Sequence, residues 1–384
     1  MYKHIFVTGI SGSGKSELIN KFLGNVVLPD LVKTTKVPIE IMKMTNEEKL
    51  NIFDDKEKVY IELILNNEKQ IEKHIFDLLK INSPLLSEGK QFFYNLSQLI
   101  KKEYFCKDDL VDMEKCNNEE YNSEKCDIKS AIIFQKYLVN TCNVKNNIRK
   151  KLDSYNTNFV LEVDKFRKFL HNMDPILINR IKIKCEATSF FEENWKFIEI
   201  PGSVYLENEN FNTSNYIIDM FNYTVDNKES IIILTGDIGR ISKYCELYFL
   251  QYIPDSFKQY QGNLKYSEYC KNIVSKSIIV VEKIENFTRS DILHMTDLLY
   301  NDDPAIENVN FLLTQDDLIS LRWKNIHKII DDLVSDLLVS SMNEERYWKN
   351  ITRINHNIPI RYIGTINNDN SILTELHNDI KKIV

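Results

Sequence analysis

Gly9, Gly12 and Gly14 stand just ahead of Lys15 and Ser16 in the run Gly9-Ile10-Ser11-Gly12-Ser13-Gly14-Lys15-Ser16, close to the start of the chain. Glycine backbone can turn several N–H groups toward one point without Cβ clashes, and a helix N-terminus behind such a loop adds further donors. That combination suits a polyphosphate. In this reading the backbone of Gly9, Gly12, Ser13 and Gly14 cradles the phosphates, and Lys15 reaches between the β- and γ-phosphates. The Ser16 hydroxyl then ligates the Mg2+ that bridges them. The spacing predicts binding of a nucleoside triphosphate with magnesium, and does not by itself separate ATP from GTP or a kinase from a hydrolase.

Such a loop needs a strand before it and a helix after it. His4 to Thr8 is a short apolar strand, and Leu18, Ile19, Phe22 and Leu23 recur at helical spacing. Further strands are predicted at Ile181–Cys185, Lys196–Ile200, Ile231–Leu234, Ile278–Val281, Val309–Leu313 and Arg361–Ile366, with a closing helix around Ile372–Ile383. Short apolar strands alternating with helical segments predict an α/β fold of the P-loop NTPase kind, a mostly parallel central sheet flanked by helices. Residues 42–159 read differently. They are charged, helical in period around Tyr60–Leu79 and Phe92–Tyr104, and broken by the polar tract Asn117–Glu120, which predicts a helical insertion.

With 384 residues, 43% of them apolar, the chain can bury a full core, and a net charge of -7 argues against a phosphate-tracking nucleic-acid partner. The first residues already form strand and no apolar run approaches membrane-spanning length, so a soluble, cytoplasmic protein is expected. Cys106, Cys116, Cys126 and Cys142 are too widely spaced for a zinc knuckle or redox pair, and the cysteines read as reduced thiols.

Beyond the loop, Leu28-Pro29 and then Thr35-Lys36-Val37-Pro38 lead into a strand, and Phe197-Ile198-Glu199-Ile200 ends in Pro201-Gly202. This sequence resembles the dynamin superfamily of large GTPases, whose first switch reads Thr-Arg-x-Pro and whose second switch reads Asp-Leu-Pro-Gly. Ser290-Asp291-Ile292-Leu293 with Asp303-Pro304 resemble the helix between two core strands of that family. The resemblance implies one GTPase domain over residues 1–384, with residues 42–159 inserted in it. It implies GTP and Mg2+ as ligands, Ser16, Thr35 and Glu199 as metal-side residues, and Gly202 as the sensor of the γ-phosphate. Thr35 would close over that phosphate, and Ser11 occupies the place of the family's water-positioning glutamine. A nucleotide-dependent dimer and a peripheral membrane or protein partner are further implications.

For the guanine base, Thr314-Gln315-Asp316-Asp317 resembles the family's Thr-Lys-x-Asp, with Asn367 in the loop after the last strand. A carboxylate there accepts from the N1 and N2 donors of guanine, which adenine lacks. A second register makes Glu282-Lys283-Ile284-Glu285 the base motif and Leu313-Thr314-Gln315-Asp316 the final loop; the first is preferred for the carboxylate length of Asp317 and the fit of Tyr362–Asn367. The sequence also departs from the family. Ser11 and Gly12 stand where it has Gln and Ser, Glu199 replaces its Asp, and Gln315 replaces its Lys. Slow hydrolysis follows from the first of these, and a pseudo-GTPase interaction module or an ATP-dependent P-loop kinase are the alternatives.

Overall fold

The apolar run after Lys3 forms β1 (Lys3–Thr8), in which Ile5 and Val7 are fully buried and Phe6 nearly so. A strand apolar on both faces belongs in the middle of a sheet covered on both sides, and β1 lies between β6 (Trp195–Glu199) and β7 (Ser230–Asp237), parallel to both. The computed structural model describes residues 2–29, 35–45, 58–79, 95–96, 98–105, 142–202, 213–237, 252–282, 360–363 and 370–383. The strand read at Val309–Leu313, the segments at Ser290–Leu293 and Asp303-Pro304, and the tract Asn117–Glu120 lie outside them.

Among the described residues nine strands form one sheet in the order β4-β3-β5-β2-β6-β1-β7-β8-β9. On one side of β1, β7 pairs with β8 (Ser277–Glu282) and β8 with β9 (Ile360–Ile363), all parallel. On the other side, β6 pairs antiparallel with β2 (Ile39–Lys43), and β2 parallel with β5 (Ile178–Cys185). β3 (Lys58–Leu65) is antiparallel to both β5 and the edge strand β4 (Asn158–Glu162). The expected α/β architecture is therefore present, a mostly parallel sheet flanked by helices.

Residues 42–159 are not helical throughout. Tyr60–Leu65, read as the first turns of a helix, lies in strand β3: Val59, Ile61 and Leu63 are buried while Tyr60 and Glu62 face outward. That period of two is what a half-buried strand demands. The helix begins only at α2 (Glu68–Leu78), after α1 (Lys15–Leu23) in chain order. Asn67 caps α2, accepting from the Gln70 N–H at 2.9 Å while the Gln70 side chain accepts from the Asn67 N–H at 2.9 Å. Together with α3 (Cys142–Ser154), α2 covers the extended end of the sheet through Ile71, Ile75, Val144 and Ile148. This stretch thus contributes both helices and strands.

α4 (Val163–Asn172) follows β4, α5 (Thr213–Asp226) leads into β7, and α6 (Ile253–Gln259) and α7 (Tyr266–Ser275) precede β8. The closing helix α8 (Asn370–Ile383) buries Leu376 and Ile380, and its His377 ring lies 5.1 Å from the ring of Trp195. Cys185 and Cys270 are buried free thiols, each pushed up to about 12 by loss of solvent. Such thiols are poor nucleophiles and weak metal ligands. No helix among the described residues is long and apolar enough to cross a membrane.

Candidate functional site

The strand β1, the loop after it and α1 meet at the centre of the sheet, on the edge where the carboxyl ends of β1, β6 and β7 lie together. Strand order reverses at β1, the place where an open α/β sheet leaves a crevice for a ligand. The loop turns through Gly12 at φ 82° and Gly14 at φ 91°, left-handed conformations that cost a side chain about 1–2 kcal/mol. Gly14 is also the N-cap of α1, so the first free N–H groups of the helix face the loop.

Lys15 is buried, and its ammonium donates to the carbonyls of Gly9 at 3.0 Å and Ile10 at 2.7 Å. The Ser13 hydroxyl is turned the other way, toward Thr235 on β7 at 2.7 Å. Of the residues read as phosphate ligands, Ser13 therefore offers its backbone rather than its side chain. Ser11 and Gly12 are half-buried on the outer turn of the loop.

Three residues far apart in sequence converge beside it. Glu199, the last residue of β6, accepts from the Ser16 hydroxyl at 2.7 Å and from the Thr35 hydroxyl at 3.0 Å, both through Oε1. Its second oxygen, Oε2, is buried with no hydrogen-bond partner among the described residues. Burial pushes the Glu199 carboxyl above the usual carboxylate range, against the opposing pull of the Lys15 charge and of the hydrogen bonds from Ser16 and Thr35. The chain continues through Ile200, whose N–H donates to the Val7 carbonyl at 2.9 Å. Gly202 then lies against the loop: a Cβ built there would be 2.6 Å from the Ser11 nitrogen and 2.8 Å from Lys15 Nζ. Only a glycine allows that approach.

An orphaned carboxylate oxygen with two hydroxyls beside it is a hard, all-oxygen donor set, which fits Mg2+ and not a thiophilic metal. Among the described residues no cluster of three or more His, Cys, Asp or Glu competes for a metal. A magnesium ion that keeps waters and shares phosphate oxygens needs only one or two protein ligands.

The raised Glu199 carboxyl has a stability consequence. Its contribution to folding is fullest while it is protonated and is lost as pH rises through its raised folded value. Glu199→Gln removes the titrating carboxyl, and the metal-free variant is expected to lose less stability than the parent as pH rises from acid to neutral. The same change should weaken magnesium-dependent nucleotide binding about threefold to tenfold, because a neutral amide is a poorer magnesium ligand. Thermal melts from acid to neutral pH, beside a nucleotide titration with and without magnesium, check both halves; a variant that loses as much stability as the parent over that range contradicts this account.

Two contributors carry no local sequence signal for their role. Asn20, within α1, donates from Nδ2 to the Leu28 carbonyl at 2.9 Å and accepts from the Val27 and Leu28 N–H groups at 3.0 and 2.9 Å. It pins the turn at Val27-Leu28; its one clue in the sequence is a polar residue on an apolar helix stripe. Thr235 is the other. Lys36, next to Thr35, donates to the His171 carbonyl at the end of α4 at 2.8 Å, which anchors this segment from outside. The residues read for the base, Thr314, Gln315, Asp317 and Asn367, lie outside the described residues.

No family model matches the chain, and no curated protein matches it. Solved structures of an oligomerised bacterial dynamin pair, which provides a mechanism for long-range sensing and tethering of membranes, are similar to it at low level. Two such chains align over 99% of this chain at 12% identity, with TM-scores of 0.44 and 0.43. The chain spans 38% of the length of one and 37% of the other.

Proposed function

We propose that this chain is a dynamin-like GTP-binding protein that takes GTP with magnesium at the loop Gly9–Ser16, hydrolyses it slowly by itself, and acts as a nucleotide-dependent switch. The observation that carries the reading is the convergence of Ser16 and Thr35 on Glu199 at 2.7 and 3.0 Å. One of these residues comes from the phosphate loop, one from the first switch and one from the second. When bound, magnesium neutralises charge on the β- and γ-phosphate oxygens.

The protein's own part is positioning. Lys15 and the N–H groups behind Gly14 hold the phosphates, Ser16, Thr35 and Glu199 hold the ion, and Thr35 closes the first switch over the γ-phosphate. Gly202, packed on Ser11 and Lys15, senses that phosphate through its backbone N–H, so that occupancy moves both switches together. The kinase alternative gives Thr35 and Gly202 no task. The resemblance extends the proposal to a nucleotide-dependent dimer and to a peripheral membrane or protein partner, with a pseudo-GTPase as the form lacking turnover.

Strand pairing bears on the base-reading loop. β8 hydrogen-bonds directly to β7 on one side and to β9 on the other, so β7 and β9 are its neighbours in the sheet. The carboxyl ends of β8 and β9 lie on the same edge as the phosphate loop. This supports Glu282-Lys283-Ile284-Glu285, the base motif of the second register, with Asn367 after β9 kept from the first register, over Thr314–Asp317.

Titration of the purified chain with fluorescent GTP and ATP analogues, with and without magnesium, tests the reading. GTP should be preferred at least about tenfold, because adenine lacks the N1 and N2 donors that a base-reading carboxylate accepts. Glu285→Ala should relax that preference while Asp317→Ala leaves it intact. Equal competition by ATP moves the assignment to the kinase class, and loss of preference in Asp317→Ala alone restores the first register.

A further inference from the structure

Thr235 meets the phosphate loop at two points. Its hydroxyl lies 2.7 Å from the Ser13 hydroxyl and also donates to the Thr8 carbonyl at 3.2 Å, at a site where Ser13 and Thr235 are both buried. A threonine hydroxyl has one proton. With that proton on the Thr8 carbonyl, Ser13 is the donor to Thr235, and the Ser13 side chain is fixed in one rotamer. At the other end of the loop, a Cβ on Gly9 would come 2.5 Å from the Thr235 carbonyl oxygen and 2.6 Å from its hydroxyl. The first residue of the loop and the residue just before the α1 cap therefore rest on the same threonine.

We infer that Thr235 is a positioning residue of the phosphate loop: by holding Ser13 and seating Gly9 it fixes the turn that aims the Gly14–Ser16 N–H groups and Lys15. The inference rests on the nucleotide reading proposed above. Its physical basis is adjacency. Ser13 precedes Gly14 and Lys15, so any swing of Ser13 toward a new partner moves the two residues whose donors are directed at phosphate. Thr235 also belongs to β7, whose register with β1 runs from His4↔Ser230 to Thr8↔Leu234, so the support comes from the rigid centre of the sheet.

The test uses the full chain with Thr235→Val, Thr235→Ser, Ser13→Ala and the Ser13→Ala/Thr235→Val pair, each titrated with a fluorescent GTP analogue in magnesium. Valine keeps the shape and removes the hydroxyl. Thr235→Val and Ser13→Ala should each bind about fivefold more weakly, Thr235→Ser should lie within about twofold of the parent, and the pair should be no weaker than either single change. Parent-like binding by Thr235→Val, a loss that serine does not restore, or additive losses in the pair overturns the inference. Hydrogen exchange at the Gly14, Lys15 and Ser16 amides separates this from the nucleotide reading. If the parent binds no nucleotide, that reading falls, while faster exchange in Thr235→Val that serine reverses still supports the tie. Unchanged exchange in that case overturns it.

Discussion

Lys15→Ala is expected to lower magnesium-dependent nucleotide affinity by at least about a hundredfold while the chain stays folded. The ammonium is buried and already donates to two loop carbonyls, those of Gly9 and Ile10, so it is held where phosphate oxygens would approach rather than free to sweep through solvent. Charge-assisted hydrogen bonds to an anion are each worth about 1.5–3 kcal/mol, and roughly 2.7 kcal/mol is a hundredfold. Truncation also removes the positive charge that opposes the burial-driven rise of the Glu199 carboxyl, so the magnesium side weakens at the same time. The sheet and α1 do not depend on this side chain: the burial of α1 rests on Leu18, Ile19, Phe22 and Leu23. Ser16→Asn should act on the same ligand from the metal side, since it removes a hydroxyl 2.7 Å from Glu199. Calorimetric titration with and without magnesium measures both, and affinity within about threefold of the parent in either variant would sink the nucleotide site.

The parts of this site that were legible in the sequence are those whose chemistry is local. Gly12 and Gly14 mark left-handed backbone within a few residues of Lys15 and Ser16, and Glu199 announces itself as a carboxylate closing an apolar strand before Pro201-Gly202. Thr235 was not legible because its partner is chosen by the fold, and Asn20 because a polar residue on an apolar helix stripe does not say which groups of the following turn it bonds. Thr235 lies 222 positions from Ser13, and no spacing rule links them. The misreading of Tyr60–Leu65 has a different cause. Tyr60, Ile61, Ile64 and Leu65 satisfy the helical i, i+1, i+4, i+5 pattern as well as Val59, Ile61 and Leu63 satisfy alternation, and the strand pairing shifts register between Ile64 and Leu65. Short apolar runs of this kind cannot be assigned by period alone. The order of strands was likewise hidden: nothing local in Ile231–Leu234 says that it, and not Ile278–Val281, lies against β1.

Ser11→Gln is expected to raise single-turnover GTP hydrolysis between about tenfold and a hundredfold over a slow parent, one below about 0.01 per second. Phosphoryl transfer depends almost wholly on positioning and charge stabilisation, and the resemblance puts a water-positioning glutamine where this chain has Ser11. A serine hydroxyl is too short to cover the reach of a glutamine amide. The geometry also decides which replacement to make. The family's serine at the next position would fall on Gly12, whose φ of 82° costs a side chain about 1–2 kcal/mol, so restoring both residues would distort the loop it is meant to repair. Position 11 carries no such strain and is half-buried, so it can take a longer side chain. Its backbone is held by the approach of Gly202, so a change in rate reports the new amide rather than a displaced loop. The gain should vanish when Thr35→Ala is added, because the first switch can then no longer close on Glu199 and the γ-phosphate. A parent that already turns over faster than about 1 per second alone, or a Ser11→Gln variant with an unchanged rate, would mean that the attacking water is held by a residue other than the one at position 11.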